Sequence, residues 1–266
     1  MDLYLIKIGG SVITDTKRIN VAKRDEIERL LTEINNARKK SKVSIILGNG
    51  AGSFGHISAK KYRIHEGLLS KDSIKGSIET QQAVRALNSL IVDIALDMGM
   101  PLFPFSPSSF VNKKGRIIVD GFISQIKLAL KEGFIPSIYG DVVMDAKQGV
   151  AIASTEDVLN FIAPSLKPKK IVLGTDVDGV FDKDPFTNRG AVLIERIDSK
   201  NIRKIVAGTG GAKKIDVTGG MRTKVATLHK MVVKTGATGY VVNLTKKGRL
   251  YKLLSGKEVR CTIVRK

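Results

Sequence analysis

Three glycine-rich segments with a lysine or a histidine beside them are the residues of this chain best suited to chemistry. KIGGS places Lys7 just before two glycines, GNGAGSFGH ends on His56, and DVTGGM is followed closely by Lys224. Glycine lets backbone N–H groups come close to an anion, and lysine balances negative charge. These features together favour the binding of two phosphate groups and the transfer of a phosphoryl group between them.

Each segment alone is a weak signal. Gly50, Gly52 and Gly55 satisfy the spacing G-x-G-x-x-G, but no acidic residue closes a strand about 20 residues later, as a dinucleotide-binding fold requires. DVDGVFDKD lacks the glycine and the ligand spacing of a calcium loop. The sequence also has no Walker loop and no protein-kinase motifs. The three segments together therefore indicate phosphoryl transfer on some other fold.

Apolar runs bounded by glycine alternate with segments of helical period along the chain. Strands are predicted at 3–8, 43–47, 101–105, 134–139, 170–175 and 240–244. Helices are predicted at about 27–37, 76–98 (with its apolar face at 87–98), 121–132, 158–166 and 221–235, and Ser154 or Thr155 can cap the fourth of them. The segments 106–120 and 182–218 are predicted to be rich in loops. This order predicts an α/β fold, a three-layer α/β/α sandwich with a mainly parallel central sheet. Ligands of such sheets bind at the carboxyl ends of the strands, where the first two glycine-rich segments lie.

The composition indicates a globular protein of the reducing cytoplasm. The chain has 266 residues, of which 42% are hydrophobic, and a formal net charge of +20. Its single cysteine cannot form an internal disulfide, no apolar run reaches the ~20 residues of a membrane span, and the N-terminus carries no export signal. The positive residues are scattered and form no nucleic acid-binding motif. We therefore expect neither a nucleic acid nor a membrane as partner.

Five segments, taken in order, resemble the amino acid kinase family. They are K-x-G-G-S at 7–11, the loop at 48–56, YGDVV at 139–143, TDVDGVFDKDP at 175–185 and DVTGGM at 216–221. Within that family the combination of GSFGH, YGD and DVTGGM resembles the isopentenyl phosphate kinases, and the resemblance covers nearly the whole chain. It implies ATP-dependent phosphorylation of isopentenyl phosphate to isopentenyl diphosphate, in isoprenoid biosynthesis by an alternative mevalonate route.

The resemblance also implies roles for individual residues. It assigns catalytic roles to Lys7, Lys17, His56, Glu156, Asp157 and Lys224. It assigns nucleotide binding to Lys7, Gly9, Gly10, Ser11, Gly52, Asp176, Gly219, Gly220 and Lys224. It assigns acceptor binding to Ala51, Gly55, His56, Gly140 and Thr155. Mg²⁺ would be held mainly by phosphate oxygens and water, without a metal site made of protein side chains.

Two positions depart from the pattern of the family. A lysine is expected soon after K-x-G-G-S, but Thr16 stands at its place, so Lys17 takes the role, with Arg18 as the alternative. The aspartate of the family's S-G-D, which positions the lysines, falls in STED at 154–157. Either Glu156 or Asp157 then does that work.

The organisation of the chain and the identity of the acceptor remain expectations. The short linkers predict a single two-lobed domain over 1–266, and the resemblance implies an acceptor lobe at about 1–166 and a nucleotide lobe at about 167–266. Similar proteins form homodimers, so we expect a homodimer here. The alternative within the same fold is a kinase whose acceptor is another small phosphate or phosphonate, such as fosfomycin. A nucleotide- or nucleic acid-binding regulator is the alternative from another class.

Overall fold

The computed structural model describes residues 1–115, 117–208 and 220–266. Its strands are β1 (Leu3–Ile8), β2 (Ser44–Asn49), β3 (Leu102–Phe105), β4 (Val111–Lys114), β5 (Ile117–Gly121), β6 (Ile135–Tyr139), β7 (Asp141–Asp145), β8 (Gly149–Ala153), β9 (Lys170–Thr175), β10 (Val180–Phe181), β11 (Leu193–Ile194), β12 (Arg196–Ile197), β13 (Thr238–Asn243) and β14 (Cys261–Val264). Its α-helices are α1 (Gly10–Ile13), α2 (Arg24–Ser41), α3 (Gly52–Lys61), α4 (Lys71–Asp97), α5 (Ser124–Lys131), α6 (Thr155–Leu166), α7 (Ile202–Gly208), α8 (Gly220–Thr235) and α9 (Arg249–Leu254).

An eight-stranded sheet in the order β12-β14-β13-β9-β1-β2-β6-β3 forms the centre of the molecule. The strands from β13 to β3 are parallel, while β14 runs antiparallel to β13 and β12 is parallel to β14. The predicted mainly parallel sheet is therefore confirmed, with an antiparallel edge that the sequence reading missed. The central strands β1 and β2 are in register from Leu3 opposite Ser44 to Ile8 opposite Asn49, so both end at the same level.

Helices cover both faces of this sheet, as the period of the sequence predicts. On β1, Tyr4, Ile6 and Ile8 pack in a core with residues of α2, α4 and α9. The intervening Leu5 packs on the opposite face with residues of α5, α6 and α8. This alternation follows from the two-residue repeat of a strand whose two faces are both buried. The α/β/α layering is confirmed.

The helix boundaries follow from local chemistry. Ser154 is the N-cap of α6, and it forms a capping box with Asp157, in which each side chain accepts the backbone N–H of the other residue. The long helix α4 begins at Lys71, five residues before the predicted start, and Gly99 follows its end with a φ of +66°. Glycine adopts that left-handed conformation without strain, which is why the helix stops there.

A second, four-stranded sheet in the order β5-β4-β7-β8 occupies a segment predicted as partly loop. Its strand β8 leads directly into α6 through Ser154. The eight-stranded sheet takes strands from before and after residue 166, so a single sheet joins the two expected lobes. Among the helices within the described ranges, none combines the length and the apolar character needed to cross a membrane.

Candidate active site

The first two glycine-rich segments lie against each other at the carboxyl ends of β1 and β2. A Cβ placed on Gly10 would lie 2.3 Å from the backbone nitrogen of Gly52, and one placed on Gly50 would lie 2.7 Å from the nitrogen of Gly10. A side chain at either position would therefore separate the two segments. Glycine brings the starts of α1 and α3 side by side, and Lys7 lies near the end of β1, the strand before α1.

Thr14 joins these two segments by hydrogen bonds. Its hydroxyl donates to the carbonyl oxygen of Gly10 at 2.8 Å and accepts the backbone N–H of Ser53 at 3.1 Å. Gly52 has a φ of +51°, and a Cβ on it would lie 2.1 Å from the Thr14 hydroxyl oxygen. The sequence reading missed Thr14, whose only signal was its place in the motif that follows K-x-G-G-S.

Lys7 forms a buried ion pair with Glu156, and this pair is the main electrostatic feature of the site. The Lys7 Nζ donates to Glu156 Oε1 at 2.9 Å, and the two side chains are 7% and 11% exposed. Burial raises the pKa of the Glu156 carboxyl, but the charge and hydrogen bond of Lys7 and the charge of Lys224 outweigh it, so the pKa lies below its ordinary value. Glu156 is therefore ionised and coupled to both lysines.

Lys224 is the second lysine whose charge acts on Glu156. It is half-buried in the first turns of α8, which begins at Gly220 with a φ of +66°. Gly219, predicted to bind nucleotide, lies outside the described residues, as does the start of DVTGGM. Of the predicted catalytic residues, Lys7, Lys224 and Glu156 thus interact with one another: Lys7 through the ion pair and Lys224 through its charge.

Glu156 and Asp157, which the sequence reading left as alternatives, have different partners. Asp157 caps α6 and forms an ion pair with Lys113, whose Nζ lies 3.2 Å from Asp157 Oδ2. Glu156 is the one that contacts Lys7. Successive side chains of a helix point about 100° apart, which is why these adjacent carboxylates reach different elements.

Thr155 lies against the end of β2 and against Gly140, the residue between β6 and β7. Its hydroxyl donates to the carbonyl oxygen of Asn49 at 2.7 Å, and only 1% of the residue is exposed. A Cβ on Gly48 would lie 2.7 Å from the Thr155 methyl carbon, and one on Gly140 would lie 3.3 Å from the Thr155 nitrogen. Gly140 and Thr155, two of the five predicted acceptor residues, thus stand next to the end of β2.

His56 lies on α3, one turn after Gly52, and is half-buried. Gly55 beside it packs tightly, since a Cβ there would lie 2.7 Å from the Ala51 Cβ and 2.9 Å from a Val84 methyl carbon. The next turn of the helix contributes Ala59 to a small apolar cluster with Ile64, Val142 and Val150, with Tyr62 and Ile152 packed against it. The structure places His56, Ala51 and Gly55 together at the start of one helix.

The residues predicted after K-x-G-G-S are more exposed. Lys17 is exposed, and its backbone N–H donates to Asp15 Oδ1. The Arg18 side chain is 71% exposed and pairs with Asp15 Oδ2 at 2.8 Å. The backbone oxygen of Ser11 accepts from the Lys23 Nζ at 3.3 Å. Both Lys17 and Arg18 contact Asp15, so the residue that replaces the lysine expected after K-x-G-G-S stays a prediction, Lys17 or alternatively Arg18.

The DVDG turn is held by a residue that the sequence reading did not single out, Asp178. Its carboxylate pairs with Arg249 Nη1 at 2.6 Å and with Arg260 Nε at 3.3 Å, and it accepts from Asn243. Burial raises the pKa of Asp178, but these donors and charges bring it below its ordinary value. Asp176, predicted to bind nucleotide, is half-buried and accepts from the Thr175 hydroxyl at 3.2 Å.

A polar cluster beside YGDVV was also missed. Arg85 on α4 donates to the Ser108 hydroxyl, and the hydroxyls of Ser106 and Tyr139 lie 2.7 Å apart. Asp141 accepts the backbone N–H of Ser108 at 3.1 Å. Burial raises the pKa of this aspartate above its ordinary value despite those hydrogen bonds. No motif in the sequence signals that Arg85, on a distant helix, reaches this strand end.

Comparison with known proteins places this geometry in a family. The model of the amino acid kinase family matches residues 2–243. An isopentenyl phosphate kinase of Methanocaldococcus jannaschii is 38% identical over 263 residues, 96% of each chain. X-ray structures of isopentenyl phosphate kinase superpose with a TM-score of 0.84 at 33% identity, over 98% of this chain and 99% of that one. The crystal structure of the T. acidophilum isopentenyl phosphate kinase product complex gives 0.80 at 27% identity, over 100% of both chains.

Proposed function

The match over residues 2–243 makes this chain a member of the amino acid kinase family, and from that membership we propose that it transfers the γ-phosphoryl group of ATP to isopentenyl phosphate. The relatives of known name support this acceptor, since a full-length isopentenyl phosphate kinase is 38% identical. The observation that carries the proposal is the Lys7–Glu156 pair. It is buried where two glycine segments meet, and it is coupled to Lys224.

The ATP phosphates lie, in this proposal, along the glycine segments at the ends of β1 and β2. Gly9, Gly10 and Gly52 have no side chains that would cover the neighbouring backbone N–H groups. Those N–H groups can therefore face phosphate oxygens. Lys7 and Lys224 offset the negative charge that builds up on the transferring group. Gly219, Gly220 and Asp176 complete the nucleotide side. Ser11, which follows Gly10, contributes to the same loop.

The acceptor phosphate lies against the start of α3, where His56 binds its oxygens together with Ala51 and Gly55. Gly140 and Thr155 border it from the other side. An oxygen of the acceptor phosphate attacks the γ-phosphorus, the bond to the β-γ bridging oxygen breaks, and ADP leaves. A general base is unnecessary because the attacking oxygen is already anionic. Lys17 or Arg18 supplies further positive charge at the transferring group.

Mg²⁺ fits this site as an ion carried by the nucleotide. Among the residues that the structure describes, no group of three or more His, Cys, Asp or Glu side chains could hold a metal ion. Glu156 is engaged by Lys7, and the groups at the ends of β1 and β2 are lysine ammonium groups and backbone amides, which favour phosphate over a metal ion. Phosphate oxygens and water would hold the ion, and it would neutralise charge on the nucleotide.

Other parts of the proposal concern the whole protein. We place the acceptor in the lobe of about residues 1–166 and the nucleotide in the lobe of about 167–266, joined through the central sheet. Two copies of the chain form a homodimer, and the protein acts in the cytoplasm. These statements rest on family membership, and size-exclusion chromatography with light scattering tests the dimer.

Substitution of His56 tests the function. A coupled ADP-release assay is run with isopentenyl phosphate, fosfomycin and N-acetylglutamate as acceptors, and we expect turnover with isopentenyl phosphate. His56→Ala should lower kcat/KM for isopentenyl phosphate by about a hundredfold while the Kd for ATP stays within about twofold. His65→Ala is the matched control, because His65 is exposed and lies on the helical turn after α3.

Turnover with another acceptor alone would reject isopentenyl phosphate as substrate, and no turnover with any acceptor would reject the kinase assignment. Equal activities of His56→Ala and His65→Ala would reject the assigned role of His56. Loss of ATP affinity in His56→Ala would place that histidine on the nucleotide side.

A further inference from the structure

Lys113 is a buried lysine of the four-stranded sheet that no motif of the sequence marks. It lies on β4, and only 4% of the residue is exposed. Its Nζ donates to the carbonyl oxygen of Ile152 at 2.9 Å and to Asp157 Oδ2 at 3.2 Å. A buried ammonium is costly unless it is paired, so these contacts are specific features of the fold.

The two acceptors of Lys113 lie on either side of the start of α6. Ile152 is near the end of β8, before the N-cap Ser154, and Asp157 is the third residue of the helix. Lys113 therefore fixes the incoming strand and the first helical turn to each other. The neighbouring Asp145 is paired with Lys113 in the strand register and uses its Oδ1 to accept three backbone N–H groups. The hydrogen bond of the lysine goes to Asp157.

The first turn of α6 presents three consecutive side chains to three different elements. Thr155 donates to the carbonyl of Asn49 at the end of β2, and Glu156 accepts from Lys7 on β1. Asp157 faces Lys113 on β4. A helix turn held at three points has little freedom to rotate, and the direction of the Glu156 carboxylate depends on that rotation.

We propose that Lys113 is a positioning residue: by holding Asp157 and the Ile152 carbonyl, it sets the orientation of the first turn of α6 and thereby the placement of Glu156 on Lys7. This inference rests on the proposed kinase function. It assigns a role in phosphoryl transfer to a residue of the second sheet. The Lys7 ammonium keeps its place at the phosphates only while Glu156 keeps its own.

Turnover of single and double variants tests the inference. Lys113→Met replaces the ammonium with an apolar group of similar length, and we expect kcat to fall about tenfold to a hundredfold, as for other changes that displace a catalytic group indirectly. Lys114→Met is the matched control on the same strand, since Lys114 is exposed, and it should retain wild-type kcat. Urea unfolding of each variant confirms that it is folded at the assay temperature.

The double variant separates positioning from general damage. In a Glu156→Ala background, Lys113→Met should change kcat by less than about twofold, because the side chain through which it acts is gone. An equal loss in both backgrounds would overturn the proposal, and so would wild-type kcat in Lys113→Met. If Lys113→Met does not fold, Asp157→Asn is measured in both backgrounds with the same expectations, since asparagine still accepts the Ser154 N–H. An inactive wild-type protein would instead reject the kinase function.

Discussion

Replacing Glu156 by glutamine should destabilise the protein far more than a surface substitution of the same type. The Lys7–Glu156 pair has an N···O distance of 2.9 Å and side chains that are 7% and 11% exposed. At an effective dielectric constant of about 20, two unit charges at that distance attract by about 6 kcal/mol. Desolvation offsets much of this in the intact pair, but removal of one partner leaves the other buried alone, which typically costs about 3–5 kcal/mol.

We expect the lower end, about 3 kcal/mol, because glutamine keeps an oxygen that accepts from the Lys7 ammonium. Glu28→Gln is the matched control. Its partner Arg24 lies at the same 2.9 Å, but the two side chains are 53% and 46% exposed. Exposed pairs of this kind contribute about 0.5 kcal/mol. The measurement is urea unfolding at pH 7, with the slope of each transition checked against the wild type.

The stability difference between the wild type and Glu156→Gln should depend on pH in a defined direction. The folded-state pKa of Glu156 lies below its ordinary value of 4.5. A carboxyl group with a lowered pKa contributes stability above its unfolded-state pKa and loses it as the pH falls through the folded-state pKa. The difference in unfolding free energy between wild type and Glu156→Gln should therefore be full above about pH 5 and shrink on further acidification. A loss no larger than that of Glu28→Gln, or a difference that grows in acid, would refute the reasoning.

Two further predictions concern packing and the DVDG turn. Gly10→Ala would place a methyl carbon 2.3 Å from the Gly52 nitrogen, so we expect kcat to fall by about a hundredfold or more, while Gly190→Ala in an open loop should have no effect; near-normal turnover in Gly10→Ala would contradict the close packing. Asp178→Asn removes the charge that pairs with Arg249 at 2.6 Å, so urea unfolding should show a loss of about 1–2 kcal/mol. A loss below about 0.3 kcal/mol would show that the neighbouring donors are satisfied without that charge.

The elements with a strong local pattern could be predicted from the sequence. The apolar run LYLIKI and the run KIVLGT correspond to β1 and β9 at both ends. The cap of α6 was predicted at Ser154 or Thr155, and the structure identifies Ser154. In each case the signal lies within a few residues of the element itself, so no knowledge of the rest of the fold was needed.

The helix α3 was not predicted because its sequence has a low helix propensity. GSFGHISAKK contains two glycines, which are poor helix formers, and a glycine-rich segment after a strand is usually a loop. Contacts with residues distant in the sequence decide the conformation, because Gly52 packs directly against the Thr14 side chain and Gly55 packs against Val84. The strands β4 and β5 were missed for a related reason, because their short, partly exposed sequences acquire a pattern only when paired.

The central pair of the site was beyond any local pattern. Lys7 and Glu156 are separated by 149 positions, and the resemblance to a family suggested only that some carboxylate at STED would meet the lysines. The choice between Glu156 and Asp157 depends on how α6 is rotated about its axis. That rotation is set by the capping box and by Lys113, which lies on another sheet.

Among the residues that the structure describes, Glu156 pairs with Lys7 and interacts electrostatically with Lys224, which explains how this site can hold its positive charge before any phosphate arrives. Burial raises the pKa of Glu156, but the charges of Lys7 and Lys224 both lower it, so the carboxylate interacts electrostatically with each of the two lysines. Two ammonium groups without the carboxylate would repel each other, and a buried ammonium without a counter-charge tends to lose its proton. With Glu156 in place, both lysines stay fixed while negative charge shifts between the leaving and the attacking oxygens. Charge stabilisation that requires no reorientation is the kind that lowers a barrier most effectively.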